Sequence, residues 1–426
     1  MKTPPPPLEA LPLRLVLTVW LPFACAYFLS YFFRAVNAII SPDLARDLGV
    51  NPSELGLLTS AYFLAFGLFQ LPLGMLLDRF GPRRVNAALL VIAALGSLAF
   101  ASSQSLPALV AARAMIGLGV SGVLMSSIMA FVLWFPISRL ATLNGWVLAM
   151  GGLGALAAST PIEAALKITD WRSLFIVASA ATAAAALLGY YVVPDKNGPR
   201  QQESFSELVL GLKTVLASGF FWRIVLVSAS ITGTFMSMQG LWFVPWLRDV
   251  AHFDRDEIAR ILMWNAFAYI AGFVVTGTLA DALARRGIGP VFVFKAGMGV
   301  AIAMFGLLAG GVSVLVVPVM LVYTFCGTGA VLAYAILPRE FPHRLVGRVN
   351  TASNMVVFMV SFAAQWGIGA VLNLWPEVDG KYALDGYRTA LGIILVLQLA
   401  MYALLLARPA TRASAPIKAE TAGEKR

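Results

Sequence analysis

Long apolar runs alternate with short polar segments along the whole chain of 426 residues. Most of these runs reach about twenty residues, the length that an α-helix needs to cross the hydrocarbon core of a bilayer. They predict an all-α membrane protein with twelve transmembrane helices, numbered here as spans 1 to 12: 13–40, 53–77, 85–104, 106–134, 140–165, 172–193, 219–247, 257–284, 288–311, 313–338, 347–375 and 386–407.

Composition excludes an ordinary soluble protein. Hydrophobic residues make up 59% of the chain and charged residues 12%, whereas a soluble domain carries about 25% charged residues. The net charge of +10 does not indicate a nucleic-acid partner, because the basic residues lie in short loops between apolar runs. We expect the lipid bilayer to be the partner of this surface.

The distribution of Lys and Arg predicts the orientation of the chain. Twelve spans place both termini on one face, which holds 21 of the 31 Lys and Arg residues, while the opposite face holds 8. Arg34 and Arg113 lie inside spans. Because short cytoplasmic loops are enriched in Lys and Arg, we expect both termini in the cytoplasm and the spans in a bacterial inner membrane.

The longest polar segment, 194–218, separates the spans six and six and predicts a cytoplasmic linker. It would join two pseudo-symmetric six-helix bundles, 13–193 and 219–407, with tails at 1–12 and 408–426. A shift of 203 residues aligns the halves at Pro42 with Pro245, Glu54 with Glu257, Gly74 with Gly277 and Asp78 with Asp281. Such internal repeats are typical of secondary transporters, whose substrate site lies between the halves near the bilayer midplane.

The loop after span 2 carries a glycine, an aspartate–arginine pair, a second glycine and basic residues: Gly74, Asp78, Arg79, Gly81 and Arg83. It resembles the cytoplasmic signature of the major facilitator superfamily, and a degenerate copy with Gly277 and Asp281 follows span 8. The resemblance implies a gating contact that exists in one of two rigid-body states. A basic loop that serves only membrane insertion is the alternative.

Span 1 carries a polar stripe at helical spacing: Tyr27, Ser30, Tyr31, Arg34, Asn37 and Ser41. The planar guanidinium of Arg34 suits a carboxylate or phosphate. The stretch resembles helix 1 of the organic-anion branches of the superfamily, which implies that Arg34 contacts an anion. An Arg34 side chain that extends to the membrane surface is the alternative.

The corresponding stripe in span 7 is polar but uncharged: Ser230, Gly233, Thr234, Ser237 and Gly240. This favours a monoanion, or an anion with a large apolar body, over a phosphate held by two arginines. Asn350 and Asn354 are one turn apart on span 11. We therefore take the following as candidate substrate-binding residues: Arg34, Tyr27, Tyr31, Asn37, Ser237, Asn265, Asn350 and Asn354.

Two residues are candidates for energy coupling. Arg113 begins Arg113-Ala-Met-Ile-Gly117 in span 4, which resembles the arginine–glycine motif of proton-coupled members and implies proton relay or helix packing. Binding of a buried carbonyl by Arg113 is equally open. Glu163, near the end of span 5, is the acidic candidate within a span.

These patterns predict a monomeric secondary transporter that takes up a small anionic organic solute, coupled to H⁺ or Na⁺, without cofactor or metal. Proton-coupled efflux of drugs or metabolites is the first alternative, and a transport-like sensor is the second. The sequence contains no P-loop and no nucleophile–base constellation, which argues against an ATP-driven pump and an enzyme.

The predicted topology is tested with reporter fusions. A reporter fused after Arg408 should be active as a cytoplasmic fusion, and one inserted near Asp379 as an external one, because of the Lys and Arg distribution. An external carboxyl terminus would contradict the twelve-span topology.

Overall fold

The computed structural model describes residues 12–195, 205–342, 345–377 and 380–407, which are mainly helical. Eleven helices in these ranges are long and apolar enough to cross a membrane. One of them, Pro52–Ser102, has 51 residues, about twice the length of one crossing. It contains spans 2 and 3, which are separated at Gly81, so the described residues hold all twelve predicted spans.

The spans occupy Leu13–Leu48 (span 1), Pro52–Ser102 (spans 2 and 3), Leu106–Trp134 (4), Ile137–Ala157 with Thr160–Leu166 (5), Trp171–Val192 (6), Gly219–Asp249 (7), Arg255–Ala284 (8), Pro290–Ala309 (9), Val316–Glu340 (10), Val346–Leu372 (11) and Leu384–Ala407 (12). Span 1 is longer than the predicted 13–40. Its helix continues through Pro42, which places Asp43 on the helix rather than in a loop.

Gly81 breaks the long helix between spans 2 and 3 because its φ of +77° is a conformation that favours glycine. The following Arg83 donates from Nε to the carbonyl of Tyr190 at 2.7 Å, and Arg84 pairs with Asp195 at 2.9 Å. These contacts hold the loop against the end of span 6. We call this side, where span 1 begins and span 12 ends, the terminal face, and the other side the opposite face.

The internal repeat is visible in the helix caps of spans 2 and 8. Asn51 and Glu54 exchange backbone-to-side-chain hydrogen bonds of 2.9 and 3.0 Å, and Asp254 and Glu257 do the same at 2.7 and 3.0 Å. Each pair is a capping box that satisfies backbone N–H groups at the start of a helix. The two boxes are related by the shift of 203 residues found in the sequence.

Within the predicted linker, the structure forms a helix at Phe205–Leu216. Its apolar residues recur at helical spacing, which gives it one apolar face. Gly211 of this helix lies against the guanidinium of Arg348 in span 11. The predicted tails and the linker residues 196–204 lie outside the described residues.

Small residues set the packing of span 5 on span 1. A Cβ at Gly154 would overlap the backbone carbonyl of Phe28, and a Cβ at Gly151 would meet the Tyr27 and Tyr31 rings at 2.6 and 2.9 Å. Glycine permits this close approach of helices in a membrane. This close helix contact fixes the position of the polar stripe of span 1 relative to span 5.

The substitution Gly154→Ala should destabilise the protein, because its Cβ has no room beside span 1. Overpacking typically costs about 1–3 kcal/mol, which should lower the melting temperature of the purified protein by several degrees. Gly145→Ala in the same span is the control, since its Cβ would meet nothing within 4 Å. Equal melting temperatures of the two variants would contradict this packing.

Candidate substrate cavity

A cavity of about 350 Å³ lies between the two halves and is lined by residues of spans 1, 2, 4, 5, 7, 8, 10 and 11. Its volume falls within the roughly 300–1,000 Å³ that small-molecule sites occupy. The cavity reaches from Arg34 toward the terminal face, where Asn144 and Asn350 line it near the beginnings of spans 5 and 11. Arg34 is the one charged residue among the described residues of the lining.

Arg34 lies in an aromatic environment and is only 8% exposed. Its guanidinium carbon is 4.5 Å from the ring centre of Tyr31, 5.4 Å from that of Phe358 and 5.5 Å from that of Phe66. Its Nε has no hydrogen-bond partner. Cation–π contacts offset part of the cost of burying this charge. The side chain faces the cavity, not the membrane surface.

A chain of amide and hydroxyl groups forms another part of the wall. Asn354 donates from Nδ2 to Gln70 Oε1 at 3.0 Å, and the Tyr334 hydroxyl donates to Asn354 Oδ1 at 3.3 Å. Gln70 in turn donates from Nε2 to the carbonyls of Phe66 and Ser121. This chain links span 2 of the first half with spans 10 and 11 of the second.

Five of the eight predicted substrate-binding residues line the cavity: Arg34, Tyr27, Tyr31, Asn350 and Asn354. The other three, Asn37, Ser237 and Asn265, are buried outside it. Gly240, one turn after Ser237, lies near span 1, since a Cβ there would be 3.6 Å from the backbone carbonyl of Arg34. Asn265 accepts a hydrogen bond from Thr324 at 2.5 Å.

Three members of the polar stripe of span 7, Ser230, Gly233 and Thr234, pack within their own half. Gly233 lies against Val360 of span 11, and Gln398 of span 12 donates to the Ser230 carbonyl and the Thr234 hydroxyl at 3.2 and 3.3 Å. The small residues of this stripe therefore serve helix packing. Span 7 presents a different face to the cavity, with Ser228, Thr232, Phe235 and Met236.

Several lining residues were not among the candidates from the sequence: Phe66, Gln70, Tyr334 and Phe358. Phe66 and Gln70 are four residues apart on span 2, so they share one helix face. A glutamine on an otherwise apolar face was the available signal. The sequence gives no signal for Phe358, because nothing in its own span distinguishes it from core residues.

Arg113 does not line the cavity and is 1% exposed. It donates from Nη2 to the Phe33 carbonyl at 3.3 Å and lies 5.5 Å from the ring centres of both Tyr62 and Phe100. These contacts pack span 4 against span 1. A role in proton relay remains a prediction.

Glu163 takes part in an ion-pair cluster on the opposite face. Arg255 of span 8 contacts Glu163 Oε2 with Nε at 2.7 Å and Asp43 Oδ2 with Nη2 at 2.6 Å. Both carboxylates belong to the first half and are largely buried, whereas Arg255 belongs to the second. The cluster therefore joins the halves, and a coupling role for Glu163 remains a prediction.

Close backbone packing joins the halves on the same face. A Cβ at Gly56 would meet the Gln365 carbonyl at 2.9 Å, and a Cβ at Gly369 would overlap the Pro52 carbonyl. Trp242 donates from Nε1 to the Gln365 carbonyl at 2.9 Å. Spans 2, 7 and 11 thus close the cavity toward the opposite face.

The predicted gating motif lies on the terminal face. Gly74, Asp78 and Arg79 are exposed, and Arg83 contacts span 6 of its own half. A Cβ at Gly277 would meet nothing within 4 Å, and the side chain of Asp281 lies outside the described part of the chain. A gating contact of this motif with the second half remains a prediction for another state.

Two six-helix halves around one central cavity, closed on one face, are the architecture of a membrane transporter. The Major Facilitator Superfamily family model matches residues 23–365, and the chain belongs to this superfamily. The structure resembles that of a mutant of the nucleoside transporter NupG, with a TM-score of 0.73, 15% identity and coverage of 91% of this chain and 99% of that one. An inward-facing bacterial homologue of the lysosomal transporter Spinster gives 0.72 at 16% identity, covering 94% and 97%.

Among curated relatives, a probable sulfoacetate transporter of Cupriavidus necator is 23% identical, over 61% of this chain and 64% of its own length. A probable L-galactonate transporter of Escherichia coli is 24% identical, over 65% of this chain and 64% of its own length. The match thus spans less than two thirds of each. A probable galactarate/D-glucarate transporter of Bacillus subtilis is 22% identical over 87% and 89%.

The substitution Arg255→Gln should weaken closure of the opposite face, because it leaves Asp43 and Glu163 without the cation they share. A cysteine at Ser30, in a background without Cys25 and Cys326, should then react severalfold faster with an impermeant maleimide added from that face. Arg388→Gln is the control, since it breaks the pair with Asp385 within one half. Equal labelling rates in Arg255→Gln and Arg388→Gln would contradict a role of Arg255 in closing the opposite face.

Proposed function

We propose that this protein is a secondary active transporter that carries a small organic anion across the membrane by alternating access, with Arg34 as the anion-binding residue. The observation that supports this most strongly is the buried guanidinium of Arg34, at the end of the cavity away from the terminal face (the inner end). No carboxylate pairs with Arg34 among the described residues. A carboxylate or sulfonate on the ligand would supply the missing countercharge and accept two parallel hydrogen bonds.

A single negative charge fits the cavity best. Because the described lining offers one cation, the second charge of a dianion would be buried without a partner, at a cost of several kcal/mol. The same fixed cation would repel a cationic drug, which weighs against multidrug efflux. The relatives that are named for sulfoacetate and L-galactonate carriers support an organic acid as the class of substrate.

Alternating access would exchange contacts on the two faces. In the present state, the Arg255 cluster and the glycine contacts of spans 2 and 11 hold the opposite face closed. Rigid-body rotation of the halves would break these contacts and bring the gating motifs of the terminal face together. Each set of contacts then stabilises one state, and the substrate is exposed to each side in turn.

An ion gradient is the proposed energy source, since the sequence has no P-loop. We propose uptake coupled to H⁺ or Na⁺ by a monomer in a bacterial inner membrane, with both termini cytoplasmic. No carboxylate occurs among the lining residues that the structure describes, so the proposed ion site lies outside the cavity. Asp43 and Glu163, buried beside Arg255, are its candidates.

Arg34→Ala should weaken anion binding by roughly a hundredfold or more, because it removes two charge-assisted hydrogen bonds of about 1.5–3 kcal/mol each. Arg34→Lys should restore little affinity, because lysine keeps the charge but loses the planar fork. Affinities are measured by calorimetry with whichever of sulfoacetate, galactonate and benzoate most raises the melting temperature of the wild type.

Arg388→Ala, on the opposite face and outside the cavity lining, is the matched control and should bind like the wild type. Wild-type affinity in well-folded Arg34→Ala protein would remove Arg34 from the site. Full affinity in Arg34→Lys alone would show that charge suffices and that the two parallel bonds are absent.

A further inference from the structure

The amide side chains that line the middle of the cavity already use their hydrogen bonds within the protein. Gln70 donates to two backbone carbonyls and accepts from Asn354, which in turn accepts from Tyr334. These bonds occupy both amide hydrogens of Gln70 and the hydroxyl hydrogen of Tyr334, so a ligand that accepts from either group must replace a bond that the protein already makes. Replacing one bond by another gives little net stabilisation.

Four of the six serine and threonine hydroxyls of the lining show the same pattern, and Ser30 and Thr232 are the other two. Ser121, Ser228 and Thr328 donate to the carbonyls of Leu118, Ala330 and Phe325 at 2.7, 3.2 and 2.7 Å. Thr324 donates to Asn265 at 2.5 Å. These donors are therefore turned to the helices, and a ligand with many hydroxyl groups would lose water without replacement partners.

Apart from the hydroxyls of Ser30 and Thr232, the polar groups that remain are found at the two ends of the cavity. Asn144 and Asn350, near the terminal face, each have an amide oxygen without a partner. Around Arg34 lie Tyr27 and Tyr31, whose rings are 5.1 Å apart. The inner end can thus hold one anionic group, while the middle of the cavity offers few free partners.

Aromatic rings occupy the wall that spans 7 and 8 provide. Phe235 and Tyr269 are stacked at 5.0 Å with an interplanar angle of 16°, and Phe273 meets Tyr269 edge-on at 4.7 Å. All three line the cavity. Such rings attract a flat aromatic ligand by stacked or edge-to-face contacts beyond the gain from apolar burial.

From the small number of free hydrogen-bond partners and from the aromatic wall, we infer that the substrate is a monoanion with an aromatic body. Its carboxylate or sulfonate binds Arg34, and its ring lies against the group formed by Phe235, Tyr269 and Phe273. The inference rests on the proposed anion site at Arg34 and narrows it. This inference distinguishes the substrate of this chain from the acids that two relatives are named for, L-galactonate and galactarate or D-glucarate. Those acids carry a hydroxyl group on most carbons.

Calorimetry on the purified full-length protein tests the class of ligand. The probes are benzoate, phenylacetate and 3-phenylpropionate as aromatic acids, galactonate as a hydroxylated acid, propionate as a small monoanion without a ring, and benzamide as a neutral aromatic. At least one aromatic acid should bind ten times or more tightly than galactonate, and benzamide should not bind measurably.

The outcomes separate this inference from the proposed function. Tighter binding of galactonate, or binding of propionate without any aromatic acid, would overturn the aromatic body and leave the anion site intact. Benzamide that binds as tightly as benzoate would instead overturn anion recognition at Arg34. Absence of binding by all three aromatic acids overturns the inference whatever the other probes do.

Two leucine substitutions in span 8 test the aromatic wall. Phe273→Leu keeps an apolar side chain but removes the ring, and should weaken binding of the tightest aromatic acid by about three- to tenfold, with little effect on propionate. Phe267→Leu, whose ring is exposed and contacts Trp264, is the matched control. Equal affinity of all three proteins for the aromatic acid would show that the wall does not contact the ligand.

Discussion

The burial of one permanently charged guanidinium between the two halves is the constraint on which the rest of the site depends. Arg34 cannot lose its proton to avoid the cost of burial, and cation–π contacts with three rings compensate only in part. A ligand that carries the missing negative charge makes the occupied cavity nearly neutral. Closing the protein around the loaded site should therefore cost less than closing it around the empty one.

The same reasoning applies to the opposite face, where the charges are already balanced within the protein. Arg255 lies between two carboxylates of the other half, and Arg46 also pairs with Asp43 at 3.0 Å. Separating the halves therefore leaves Glu163 without Arg255, while Asp43 keeps Arg46. This face needs a compensating event when it opens, either entry of water or binding of a cation. The closed face thus pairs its buried charges within the protein, whereas Arg34 in the substrate site would be paired by the ligand.

Patterns local to one helix were predictable from the sequence, and contacts between distant helices were not. Apolar runs and the 203-residue repeat gave the spans, because length and hydropathy are properties of single segments. The stripe of span 1 correctly placed Arg34, Tyr27 and Tyr31 on one face. It could not tell that Asn37 is buried outside the cavity, that Ser230, Gly233 and Thr234 of span 7 pack on spans 11 and 12, or that Phe358 lies beside Arg34. The linker helix was missed because its twelve residues are too short for a span.

The most direct test of this account is an experimental structure of the protein with its tightest-binding organic acid. The account predicts that the acidic group lies within hydrogen-bonding distance of the Arg34 guanidinium. The ligand should lie between the rings of spans 1 and 8, and Arg255 should hold the opposite face closed. An acid bound elsewhere, with Arg34 still contacted only by Tyr31, Phe66 and Phe358, would contradict it.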